Sequence, residues 1–97
     1  MELTGKQKRY LRGLGNRLPV SATIGKGGVT RNNVTEVLEA LHSFELVKVK
    51  FNKNEMLSTK QMAVEVAHMS ASELVQVLGQ TALFYKQNPE DPEIKLP

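Results

Sequence analysis

Residues 20–51 change hydrophobic period twice, and that change restricts the fold more than any other stretch of the chain. Val20, Ala22 and Ile24 alternate with Ser21 and Thr23, the period of a short strand with one buried face. Val34, Val37, Leu38 and Leu41 then recur at i, i+3, i+4 and i+7, an amphipathic helix for which Thr30 is a suitable N-cap. Val47, Val49 and Phe51 return to alternation, with Leu46, Lys48 and Lys50 on the other face. A strand, a helix and a strand in this order predict a parallel pair joined by a right-handed crossover.

The flanking segments extend that unit. Thr4-Gly5-Lys6-Gln7 and Ser58-Thr59-Lys60-Gln61 both read as capping boxes, in which the side chains at the cap and three residues on satisfy each other's amides. A first helix is expected to run to about Leu14, with Tyr10, Leu11 and Leu14 as its apolar stripe. Lys8, Arg9 and Arg12 face outward, with Lys6 at the border. Gly15-Asn16 is a natural stop because both residues tolerate the left-handed conformation, and Pro19 prevents the helix from resuming. A third helix has Met62, Ala63, Val66 and Ala67 on its apolar side and ends near Met69, its methionines filling the core. Leu74 to Leu78 and Thr81 to Lys86 form an antiparallel hairpin around Gly79-Gln80. The expectation is an α/β fold: one compact domain, residues 1–86, in the order α-β-α-β-α-β-β, with a mixed four-stranded sheet and three helices. Residues 87–97 hold three prolines and three acids and are expected to form an extended or mobile tail with little to pack.

Composition removes whole classes of function. At 97 residues, 40% apolar and 24% charged, the chain has the make-up of one folded domain, without room for a second catalytic unit. No apolar run approaches the ~20 residues of a membrane span, and a charged N-terminus does not suit a secretory leader, so a cytoplasmic protein is expected. Without cysteine there is no disulfide framework, thiolate nucleophile or cysteine-held metal. The formal charge of +3 is mild but unevenly placed: residues 1–53 carry ten cations against four acids, residues 54–97 three against six. A polyanion would meet the first half.

The glycine cluster Gly25, Lys26, Gly27 and Gly28, lying between strand and helix, is the one feature that suggests a ligand. Glycines admit close backbone approach, a helix start offers unpaired amides and a positive dipole, and Lys26 adds a charge, so the turn suits phosphate. A tight turn with unusual dihedrals would need glycines equally. The next residues, Val29-Thr30, lack both the ending of a P-loop and the third glycine of a dinucleotide fingerprint, which leaves ATP and NAD unsupported. His42 and His68 have no partners at ligand spacing. Glu36 and Glu39 have no nucleophile or base around them, so neither a metal, a cofactor nor an active site is indicated. Lys6, Arg9 and Arg12 on the first helix, Lys26 and Arg31 bracketing the loop, and Lys48 and Lys50 on a strand could together trace a phosphate backbone. The strand lysines could instead protect a sheet edge. A GxxG loop that clamps a sugar–phosphate backbone is the device of KH-type RNA modules, which favours RNA over DNA.

Four ordered blocks carry a resemblance to a known family: Leu3-Thr4-Gly5-Lys6-Gln7-Lys8-Arg9-Tyr10-Leu11-Arg12, Ile24-Gly25-Lys26-Gly27-Gly28-Val29-Thr30, Glu45-Leu46-Val47-Lys48-Val49-Lys50-Phe51, and Val75-Gln76-Val77-Leu78-Gly79 with Leu83-Phe84-Tyr85-Lys86. The chain resembles the YhbY-like proteins, stand-alone forms of the CRM domain (chloroplast RNA splicing and ribosome maturation). The resemblance implies a fold similar to the C-terminal domain of translation initiation factor 3, a KH-like GxxG loop, and RNA binding without catalysis. It also implies association with precursors of the large ribosomal subunit. By position it assigns RNA contacts to Gly25, Lys26, Gly27 and Gly28, supported by Lys6, Arg9, Arg12, Lys48 and Lys50. Lys86 stands where relatives often have Arg, and the tail is acidic, so no contacts are assigned there. The expected protein is a cytoplasmic monomer that binds ribosomal RNA. The alternative is a protein-interaction or small-anion module whose basic face docks an acidic partner.

Overall fold

A computed structural model describes residues 2–97; Met1, the first residue of the expected domain, lies outside them. The elements follow the expected order: α1 Gly5–Gly15, β1 Val20–Ile24, α2 Arg31–Phe44, β2 Leu46–Phe51, α3 Thr59–Ser70, β3 Glu73–Leu78 and β4 Thr81–Tyr85. Each helix starts with reciprocal capping: Thr4 with Gln7, Thr30 with Asn33, and Ser58 with Gln61. The four strands form one mixed sheet in the order β1-β2-β4-β3, with β1 parallel to β2 and β4 antiparallel to both its neighbours. Gly79 opens the β3–β4 turn at φ 59°, which a glycine accepts without strain.

Both faces of the sheet are covered. On one face α2 and α3 bury Ile24, Val37, Leu41, Val47, Val49, Phe51, Met62, Val66 and Phe84. On the other, α1 and the tail enclose a smaller cluster of Leu3, Leu11, Leu46, Val75, Leu83 and Tyr85. Ala82 to Tyr85 are all buried, so β4 has no polar side, which suits a central strand and not an edge.

Several details depart from the sequence-based expectation, beginning with Val20, which is 42% exposed at the start of β1 although it shares the period of the buried Ala22 and Ile24. Along α1 the buried line runs through Leu11 and Gly15, while Tyr10 and Leu14 sit on its shoulder at 42% and 41% exposure. The helix does not end in a left-handed residue, because Asn16 stays right-handed at φ −58°. The role of Gly15 is spatial instead, since a Cβ there would collide with the Leu83 side chain. Of the α3 methionines only Met62 is core; Met69 is half exposed.

The tail is the largest departure. It contains no helix or strand, yet Ile94 and Leu96 pack against the α1-side cluster. Glu45 anchors it. This residue ends α2 in the left-handed conformation (φ 61°), is 2% exposed, and accepts three tail amides: Asn88 N–H at 2.7 Å, Glu93 N–H at 2.8 Å and Ile94 N–H at 2.8 Å. Burial alone would raise its pKa, but these hydrogen bonds from Asn88, Ile94 and Glu93 hold it below the usual carboxylate value. Nearby, the Tyr85 hydroxyl is buried without a hydrogen-bond partner among the described residues; burial, then the Glu45 charge, raises its pKa.

The packing around α1 separates two glycines of the same helix. Gly15→Ala forces Leu83 aside and is expected to destabilise by about 1–2 kcal/mol, the range for overpacking less the helix preference of alanine. Gly13→Ala, with open space around the new methyl group, is expected to stabilise by about 0.5–1 kcal/mol. Denaturant melts of the two variants should therefore move in opposite directions. For Glu45 the folded pKa lies below the unfolded one, so its contribution is complete above the unfolded value and lost as pH falls through the folded one. Glu45→Gln should cost about 1–3 kcal/mol at neutral pH, because an NH2 group then faces a tail amide. The gap between variant and wild type should close in acid, and a gap of constant size from pH 7 to about pH 3 would disprove the anchor.

Candidate nucleic-acid interface

The loop after β1 is a tight turn in which Gly28 N–H donates to the Gly25 carbonyl at 3.1 Å, leaving Lys26 and Gly27 at the corner. Of the glycines here, only Gly28 requires its freedom, at φ 90°, buried against Asn54. Gly25 and Gly27 have no positive φ, and a Cβ on either would meet open space. Neither the backbone nor the packing of the chain demands glycine at those two positions. What their bareness provides is main chain that an outside group can approach to contact distance.

The α2 entrance adjoins this turn and is partly closed by its own atoms. Thr30 Oγ1 accepts the Asn33 amide at 3.2 Å, and Asn33 Oδ1 accepts the Thr30 amide at 3.0 Å. Among the described residues no acceptor faces the amides of Arg31 and Asn32. The first turn contains no acid, and its first residue is Arg31, so the positive helix end is reinforced where a negative side chain would ordinarily balance it.

The sheet brings the strand lysines to the same end. Lys50 is paired with Thr23 and the next pair is Phe51 with Ile24, so Lys50 lies at the root of the glycine turn. It is exposed, on the face that carries α1. Lys48, half buried, lines a cleft of about 150 Å³ with Gly15, Asn16, Gln76 and Thr81 at the end of α1. Edge protection does not account for the pair, because β2 is an interior strand and the edges are β1 and β3. These lysines stand on an interior strand where the short α1 helix leaves the sheet uncovered.

Helix α1 extends this line of charge away from the loop. The buried line through Leu11 and Gly15 is rotated from the expected stripe, so Lys6 points outward with Arg9 instead of lying at the border. Arg12 lies on a flank in the last turn, the end nearest Lys48, and Lys8 turns toward the sheet and is half buried. Lys6 is at the far end, where its neighbour Gln7 donates to the Pro97 carbonyl at 3.3 Å. The cations therefore form a track rather than one patch. Gly25 to Gly28, Arg31 and Lys50 cluster at one end, Lys48 and Arg12 continue from it, and Arg9 and Lys6 trail off.

Two residues escape sequence reasoning. Asn54 Nδ2 donates to the Lys26 carbonyl at 2.7 Å, and Lys53 lines a depression beside Lys26. Their signal is indirect: parallel pairing of β1 and β2 places whatever follows each strand at the same end of the sheet. Lys86, by contrast, points elsewhere, its Nζ donating to the Ser70 carbonyl at the end of α3 at 3.0 Å. Among the described residues no cluster of three or more His, Asp or Glu could hold a metal, and no helix is long and apolar enough to cross a membrane.

This three-helix α/β architecture with a mixed four-stranded sheet has known counterparts. The profile of the CRS1/YhbY (CRM) domain matches residues 3–86, and the chain belongs to that family. It is 40% identical over 95 residues to a Bacillus subtilis protein named "Probable RNA-binding protein YqeI", covering 98% of this chain and 99% of that one. It is also 31% identical over 96 residues to a Haemophilus influenzae protein named "RNA-binding protein", covering 98% of this chain and 95% of the other. The solution structure of a hypothetical protein from Staphylococcus aureus superimposes with a TM-score of 0.85 at 40% identity, over 99% of this chain and 100% of that one.

Proposed function

We propose that this protein binds RNA without acting on it chemically. In this reading the Gly25 to Gly28 turn takes the phosphate backbone, with Lys26, Arg31 and Lys50 around it, and Lys48, Arg12, Arg9 and Lys6 carry the strand onward. The observation that carries the reading is the pair of glycines, Gly25 and Gly27, that the fold itself does not need, next to lysines that no edge requires. Unpaired amides and ammonium groups recognise phosphate without regard to sequence, so this surface supplies affinity and register rather than base choice. The names of the relatives from Bacillus and Haemophilus support RNA as the polyanion. The family resemblance supports a finer assignment, ribosomal RNA in precursors of the large subunit, bound by a cytoplasmic monomer that holds or remodels one segment.

Gly27→Asp places a carboxylate where phosphate should approach, in space the fold leaves open. Binding to labelled ribosomal RNA fragments should fall by about tenfold or more, while the melting temperature stays within a few degrees. Equal affinity of the variant would remove the turn from the interface. Neutralising Arg9 and Arg12 together should lower the slope of log affinity against log salt by about 0.7–0.9 for each phosphate that is no longer neutralised. An unchanged slope would take α1 out of the site. Loss of binding to an acidic protein partner, with no competition by RNA, would identify the surface as a protein dock. Crosslinking in cells, followed by sequencing of the attached RNA, tests the ribosomal assignment.

A further inference from the structure

The β2–α3 connection faces the glycine turn, and Asn54 joins the two. Its Oδ1 accepts from Met56 N–H at 2.7 Å and Leu57 N–H at 2.9 Å, which shapes its own loop. Its Nδ2 crosses to the Lys26 carbonyl at 2.7 Å, and the same atom would stand 3.7 Å from a Cβ at Gly28. One side chain thus bridges two loops whose bases are joined by Asn52 N–H donating to the Ile24 carbonyl at 2.8 Å. Between them lies an open depression of about 680 Å³ lined by Lys26, Lys53, Asn54, Glu55 and Met56.

The lining is chemically mixed in an informative way. Two lysines suit a phosphate, but a plain anion site would not also be lined by Glu55, whose carboxylate accepts hydrogen bonds and repels anions. Met56 is 86% exposed, an apolar, polarisable side chain with nothing of its own to pack against. A ligand with an anion, a hydroxyl donor and a flat apolar face would use all of these groups, and a ribonucleotide has all three.

Building on the RNA-binding reading, we propose that this depression is a one-nucleotide subsite. Lys26 and Lys53 hold the phosphate from two sides, Glu55 accepts from the ribose 2′-hydroxyl, and Met56 covers the base. Asn54 is a positioning residue that fixes the gap. The 2′-hydroxyl contact makes the subsite selective for RNA over DNA.

The test uses the full chain, a labelled ribosomal RNA fragment and a DNA oligonucleotide of the same sequence. Asn54→Asp keeps the Oδ1 acceptor for Met56 and Leu57 but loses the donor to Lys26; Asn52→Asp, two residues away, adds the same charge without touching that bond. Asn54→Asp should bind RNA roughly three- to tenfold more weakly than Asn52→Asp, because the hydrogen bond is lost and a carboxylate oxygen then faces the Lys26 carbonyl on the lining of the depression. It should also speed amide exchange at Gly28, whose N–H donates to the Gly25 carbonyl, without a matching fall in melting temperature, which places the loosening in the turn and not in the fold as a whole. Lys53→Ala should reduce the salt slope, and Glu55→Gln should narrow the preference for RNA over DNA. Equal binding by the two aspartate variants overturns the positioning role, an unchanged slope removes Lys53, and an unchanged preference removes Glu55. If the wild-type chain binds RNA and Gly27→Asp does not, these failures count against the subsite alone; if the wild-type chain binds no RNA, the broader reading falls with it.

Discussion

Strand β4 is apolar on both sides, and the arrangement of the other elements follows from burying it. Ala82 and Phe84 face α2 and α3, while Leu83 and Tyr85 face α1. Each side chain removed from water contributes on the order of 1–3 kcal/mol, so a strand of this kind is stable only between two others and between two layers. The hairpin from β3 therefore places β4 against β2 and leaves β3 at the edge. That insertion makes β2 an interior strand. It also creates a second, smaller core on the far face, which one short helix and the tail cover incompletely.

The incomplete cover is what leaves the proposed interface open. Helix α1 approaches the sheet closely because Gly15 has no side chain to hold it off Leu83, and it stops beside Lys48. Beyond that point Lys50 and the glycine turn lie open. The tail completes the opposite end of the same face. There Glu45 acts as a buried acceptor for Asn88, Glu93 and Ile94, and it brings residues outside the family match into the fold. A charge so deeply placed is tolerable because amides surround it, which resembles solvation by protein in place of water.

Much of the site is legible in the sequence because its signals are local. Thr30 as a cap, the glycines before it and the alternation of Lys48 and Lys50 can all be read within a few residues of chain. Lys53 and Asn54 are not legible, since what places them beside the turn is tertiary: Asn54 meets the Lys26 carbonyl 28 positions away in sequence, and Lys53 lines the depression next to it. The exposed shoulder of α1 escapes for a similar reason. Tyr10, Leu11 and Leu14 share one stripe in sequence, and only the position of the sheet decides that Leu11 is buried and Tyr10 is not. The tail reads as loose because its own composition offers few apolar groups, whereas its main tether is a carboxylate supplied by another part of the chain.

Periodicity and capping are short-range properties, in which each residue's neighbours at two, three or four positions set the backbone. They therefore determined the seven elements, their order, the parallel unit around α2 and the bare turn before it, without reference to anything distant. Strand order, the interior position of β2, the packing role of Gly15, the partner of Asn54 and the acceptor for the tail amides were decided only in three dimensions. Each depends on which apolar face meets which and on where a buried polar group finds its complement, and such contacts join residues whose separation along the chain carries no local signal.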